Sequence, residues 1–222
     1  MIKAIFYKEW LKTRLLWFIA VVSHVGLVVY LLLSLRSTLL SHGTVETWAT
    51  MIGRDTLMIG RLTYLPLLTG VILSLCQWLP EMVQKRIRLT LHLPIDYTRS
   101  VTAMLLFGFI GLSVLFMLDA SLLAVVEQRW LPRELVWRIF LTCLPWYIAG
   151  LLGYSLATWC ILEPQWRGRC FNMLISVPLI ALCFLTTQPA CYIYMFPWLI
   201  ALLLVATILP LYSVYRFKLG KQ

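Results

Sequence analysis

Apolar residues run along this chain in blocks rather than with a period. Six blocks stand out, at about Leu15–Leu35, Leu57–Leu79, Val101–Val126, Ile139–Leu162, Phe171–Thr187 and Ile193–Tyr215. Each holds roughly 20 residues, which at 1.5 Å per residue spans about 30 Å of hydrocarbon as a helix. Barrel strands would instead alternate over about 10 residues. The pattern therefore predicts an all-α polytopic membrane protein with six transmembrane helices. Pro178 in the fifth block, and Pro197 and Pro210 in the sixth, predict kinks. The first block is longer than a signal-peptide core and no small-residue cleavage site follows it, so it is expected to remain as a span.

Shorter patterns fill the gaps. In Met1–Trp17, Ile2, Ile5, Phe6, Trp10 and Leu11 interleave with Lys3, Lys8, Lys12 and Arg14. This reads either as a helix lying in the membrane interface or as a basic flank of the first span. Thr44–Ile52 predicts a short helix, and Pro132 a first helical residue. Gln188–Tyr192 leaves room only for a turn. Between spans 2 and 3, Glu81, Gln84, Lys85, Arg88 and His92 share one helical face, with Met82, Val83, Ile87, Leu89, Leu91 and Leu93 around them. Glu81 precedes Lys85 by four, the favourable order for an ion pair. Pro94 stops the helix, and Asp96 or Thr98 caps span 3. This amphipathic helix is expected to lie on a membrane face with its charged edge toward the cytosol; the plainer reading is an anchor between two spans.

Composition agrees. The chain has 222 residues, 61% of them hydrophobic and 13% charged, against about 45–50% and 25% in soluble domains. A soluble enzyme, a disordered chain and a disulfide scaffold are excluded. The whole of 1–222 reads as a single transmembrane domain: an arm at 1–14, spans 1–2 over 15–79, the amphipathic loop at 80–100, spans 3–6 over 101–216 and a tail at 217–222.

Charge sets the orientation. The net charge is +10, and thirteen of the nineteen basic residues, including all six lysines, fall in the arm, the 80–100 and 163–170 loops and the tail. Arg36, Arg54, Arg61, Arg129, Arg133 and Arg138 lie on the other side. The positive-inside rule then puts both termini in the cytoplasm of a bacterial inner membrane. The same charge argues for no nucleic-acid partner, since no soluble face carries it. Trp10, Trp17, Trp78, Trp130, Trp137, Trp146, Trp159 and Trp166 fall near span ends, as an aromatic belt would.

Candidate chemistry is sparse. The six cysteines form no C-x-x-C pair, and neither a disulfide framework nor a metal site is expected. G-x-x-x-x-G-K-[ST], H-E-x-x-H and G-x-S-x-G are all missing, so no catalytic residue and no resident cofactor is expected. Asp119 lies inside span 3, where an ionisable group costs about 2.5–3.5 kcal/mol and faces protein or water. It is a candidate for a substrate path, for pairing with Arg61 or Arg129, or simply for a hydrogen bond between helices. Ser23 and His24 in span 1 raise the same question.

The arm, six spans, internal termini and a loop helix ending in Leu-Pro resemble type-2 ABC export permeases. The matching stretch runs Glu81, Lys85, Arg86, Arg88, Leu91, Leu93, Pro94, Ile95. The resemblance implies that Glu81–Leu93 is a coupling helix docking on a separate cytosolic ATP-binding subunit, with Glu81, Lys85, Arg86, Arg88, Leu93 and Pro94 making the contact. It implies a second permease subunit, identical or homologous, with ATP and magnesium held by the partner ATPase. Asp96-Tyr97 after the proline departs from the family pattern, and Phe171–Tyr215 leaves only about five residues outside its two spans for an outer cap. Haem-export-type permeases share the length and topology. A non-transport assembly subunit is the alternative of another class.

Overall fold

The computed structural model describes residues 2–53, 59–83, 97–186 and 188–218. Among them are seven α-helices: α1 (Ile2–His42), α2 (Thr44–Gly53), α3 (Leu65–Val83), α4 (Tyr97–Glu127), α5 (Arg133–Leu162), α6 (Trp166–Ala181) and α7 (Phe196–Lys218). All but α2 contribute one of six stretches long and apolar enough to cross a membrane. An even number of crossings returns the chain to the side where it starts. That side is the terminal end below, and the other the distal end.

Helix α1 has 41 residues, a length of about 60 Å, twice the hydrocarbon thickness. It extends beyond the bilayer core. The arm is not a separate element: no proline or glycine interrupts residues 2–25, so nothing breaks the helix between the basic flank and the first span. Phe6 packs edge-on against Phe107 of α4, ring centroids 5.5 Å apart, so the arm lies on the bundle. Gly43 ends α1 with φ 79°, and its N–H donates to Leu39 O at 3.1 Å. This is a left-handed cap that only glycine adopts without cost. The short helix expected at Thr44–Ile52 is α2.

Helix α5 is the axis of the bundle. In its most apolar window 67% of residues are buried, against 17% for the windows of α6 and α7. It packs against α3, α4, α6 and α7. The crossing with α3 is close because both helices present glycine there. A Cβ on Gly70 would stand 2.0 Å from Gly150 O, and one on Gly150 would stand 2.7 Å from Pro66 O. Lipid offers no hydrophobic drive for helix pairing, so such small-residue contacts supply the packing that takes its place. Nearby, the Tyr154 hydroxyl donates to Gln77 Oε1 at 2.8 Å and Gln77 Nε2 donates to Met104 O at 2.8 Å, tying α5, α3 and α4. Ser74 and Thr158 share a hydrogen bond of 2.9 Å.

The outside of the bundle is apolar. Phe18, Leu33, Val114, Met117, Leu174 and Leu204 are all more than half exposed. In water such a surface would be a severe liability, and in lipid it is the required one. The chain is a multi-pass helical membrane protein. Trp10, Trp137 and Trp166 are exposed as belt residues should be, but Trp17, Trp78 and Trp146 are buried in the cores between helices. Position near a span end fits both roles, and packing decides between them. Pro132 caps α5 from outside rather than opening it, and Pro178 and Pro210 lie within α6 and α7. The distal link between α6 and α7 holds two short 3-10 turns, at 182–184 and 193–195, and a turn at 188–192. No α-helix stands between α6 and α7 among the described residues.

Candidate functional site

Two polar constellations stand out in this apolar frame. The first lies at the terminal end, where the arm meets the end of α3. Glu9 of α1 and Glu81 of α3 are both buried, at 0% and 1% exposure. Lys8 Nζ lies 2.8 Å from Glu81 Oε1, and Lys12 Nζ lies 3.1 Å from that oxygen and 3.0 Å from Glu9 Oε2. Two carboxylates and two ammonium groups thus form a closed, neutral clamp. The geometry follows from helix period: Lys8 and Lys12 stand one turn apart on α1, so both reach the same acid on a neighbouring helix. Glu81 was expected on an exposed polar edge. It points inward instead, because two lysines of the arm offer a partially desolvated carboxylate more than water does.

Residues 84–96 lie outside the described residues. The expected contacts Lys85, Arg86, Arg88, Leu93 and Pro94 belong to that stretch, as do Gln84, Leu91, His92, Ile95 and Asp96. The clamp therefore sits at the root of this segment, with Glu81 three residues before it begins.

A second clamp closes the same end. Glu163, just past α5, is 1% exposed. It accepts hydrogen bonds from Ser213 Oγ at 2.8 Å and from Arg216 Nη1 at 2.9 Å, and its backbone carbonyl accepts from Arg169 Nε at 2.7 Å. The loop between α5 and α6 is thereby fixed to the last turns of α7. In the sequence Lys8 and Lys12 read as topology charges and as the basic side of the arm, and Arg216 as a topology charge alone. Neither Glu9, which interrupts the arm's apolar stripe, nor Glu163 is marked by the sequence as an ion-pair partner, because an acid beside a span end looks solvated until tertiary structure covers it.

The second constellation is at membrane depth. Asp119 pairs with His24, not with an arginine: His24 Nδ1 meets Asp119 Oδ2, and both side chains are fully buried. Arg61 instead caps the hydroxyl of Tyr30 and lies over its ring, 4.8 Å from the centroid, and Arg129 is exposed at the distal end. Asp119 and His24 are 95 residues apart in sequence, so only the packing of α1 on α4 brings them together. His24 Nε2 faces Thr69 Oγ1 of α3 at 3.4 Å, which occupies the second ring nitrogen. Ser23 takes no part; its hydroxyl donates to Ala20 O at 2.9 Å and the residue is exposed on the outside of the bundle.

Among the described residues no cluster of three or more His, Cys, Asp or Glu side chains has the arrangement of a metal site. The six cysteines are all free thiols. Comparison with protein-family models, with curated proteins and with solved structures finds no match to this chain.

Proposed function

We propose that this protein is the membrane-spanning subunit of an ABC-type exporter, driven by ATP hydrolysis in a separate cytosolic subunit. The observation that carries the reading is the Glu9/Glu81–Lys8/Lys12 clamp. It joins the arm and the root of the 84–96 segment into one unit beneath the spans. A movement imposed on that segment from the cytosol would reach α1 and α3 together, rather than bending a loose loop. In this reading Lys85, Arg86, Arg88, Leu93 and Pro94 meet the ATPase, and Glu81 positions them from within. The terminal end is cytoplasmic, where the lysines collect. A second permease subunit, identical or homologous, completes the pathway. ATP and magnesium are held by the partner.

The test is copurification of the tagged chain from its native membrane, followed by ATPase assay of the complex in lipid. An ATP-hydrolysing chain is expected in the complex. Glu81→Ala combined with Arg88→Ala is expected to reduce transport-coupled hydrolysis while membrane abundance stays the same. Purification without any nucleotide-hydrolysing chain, or full coupling in that double variant, would overturn the reading.

A further inference from the structure

The seam between α1 and α4 is open along its outer side. A groove of about 630 Å³ runs there, within the size range of ligand sites. On α1 its wall is the stripe Phe6, Trp10, Arg14, Phe18 and Val21, and on α4 it is Phe107, Ile110, Val114 and Leu118. Both stripes recur every three or four residues, so each is one face of its helix. Trp10, Phe18, Ile110 and Val114 are exposed, which puts the groove on the lipid-facing outside of the bundle. Its floor is Trp17. A Cβ on Gly111 would stand 2.4 Å from the indole ring, so the ring is seated against bare α4 backbone.

Arg14 is the one charged side chain among the described residues of the wall. It stands two residues beyond Lys12, whose ammonium is held in the clamp, and so belongs to the terminal end. The basic residues of the arm divide between two faces. Lys8 and Lys12 are neutralised by Glu9 and Glu81. Lys3 and Arg14 are exposed, and neither has an acidic partner among the described residues. They lie about three turns apart on the same stripe as Phe6 and Trp10. The groove side of the arm therefore keeps its positive charge.

Dimensions and charge select the occupant. Phe107 to Leu118 covers about 16 Å of α4, close to half of a hydrocarbon core of about 30 Å. The groove is one leaflet deep, with a cation at the interface and apolar walls below it. A second copy of the chain is poorly matched to it. The described acids of the terminal end, Glu9, Glu81 and Glu163, are all buried in clamps and have nothing to offer Arg14. A phospholipid brings its own anion at that depth. No acid lines the groove among the described residues to receive the ammonium of a zwitterionic headgroup.

We propose that this groove binds one anionic glycerophospholipid of the terminal-end leaflet. Its phosphate lies on Arg14, whose planar fork of donors suits phosphate oxygens. One acyl chain lies between Phe18 and Val114 toward Leu118. Lys3, further out on the stripe, adds to the potential that draws an anionic headgroup. The lipid joins the arm to α4 along a seam that the Phe6–Phe107 ring pair holds at one end. The site does not depend on which partner the terminal end engages.

The test places the full chain in phosphatidylcholine nanodiscs with a small share of phosphatidylglycerol carrying a diazirine on its acyl chain. After illumination, peptide mass spectrometry is expected to find lipid adducts on α1 between Arg14 and Val21 and on α4 between Phe107 and Leu118. Phosphatidylcholine with the same photoactivatable chain serves as the second probe, and the ratio of the two yields cancels general contact with lipid. The ratio on these stretches is expected to favour phosphatidylglycerol about fivefold, the effect of one basic side chain at an anionic surface. Arg14→Gln is expected to remove the preference. Val114→Trp, which fills the groove from its exposed wall, is expected to do the same. Arg129→Gln, at the distal end, is expected to leave it unchanged. Absence of adducts on both stretches, the result a second copy packed in the groove would give, would overturn the proposal. Equal labelling by the two probes would do so too, as would a preference lost equally in Arg129→Gln, which assigns selection to net charge. The wild-type comparison stands even if a variant fails to fold.

Discussion

Removing His24 while leaving Asp119 isolates a carboxyl at full burial, and the cost follows from the bundle. An aspartate near a span centre costs about 2.5–3.5 kcal/mol on insertion scales. Breaking a buried ion pair from one side costs about 3–5 kcal/mol in soluble proteins. Hydrogen bonds between spans average only about 0.6 kcal/mol, because the unfolded chain in the membrane also finds partners. The desolvation of the orphaned acid therefore dominates over the lost bond. His24→Leu should destabilise by about 3 kcal/mol, roughly a hundredfold in the unfolding equilibrium. Asp119→Leu leaves an imidazole that keeps its Thr69 contact, and should cost less, about 1 kcal/mol. The double replacement should restore most of the loss, since neither charge then needs company. Equilibrium unfolding in mixed micelles of a mild detergent and dodecyl sulfate reads all three variants in one double-mutant cycle. Equal costs for the two single variants, or strict additivity in the double, would refute this account of the pair.

Other outcomes follow from single contacts. Gly70→Leu must push α3 off α5, since even its Cβ would fall 2.0 Å from Gly150 O; size-exclusion of a fluorescent fusion should show loss of the monodisperse species. Glu163→Gln removes the charge that receives Ser213 and Arg216 and should lower stability by about 1–2 kcal/mol, read by thermal unfolding in detergent. Ala190 holds φ 60° in the distal turn, so Ala190→Gly should raise stability by about 1 kcal/mol, provided its N–H keeps Thr142 Oγ1. Cys170 and Cys191 are both exposed at opposite ends of the bundle. A membrane-impermeant maleimide added to intact spheroplasts should label Cys191 and spare Cys170, and the reverse result would invert the proposed orientation.

The six spans in their order and the short helix after span 1 were legible in the sequence, because each depends on local quantities. Hydrocarbon thickness sets the length of an apolar block, and glycine or proline sets where it stops. The same locality explains what was missed. The arm was divided from span 1 by composition, yet no residue there breaks a helix, so α1 continues through it. Asp119 was recognised as anomalous from its depth alone, and arginines were the natural partners to name. Its actual partner depends on how α1 crosses α4, which no linear pattern records. Glu81 and Glu9 show the same limit from the other side. Their spacing suggested solvated faces, while the packing of the arm on α3 buried both and brought two lysines to them. Hydropathy is additive along the chain and is written in it. The pairing of buried charges is decided by contacts between residues tens of positions apart, and only the folded bundle fixes which ones meet.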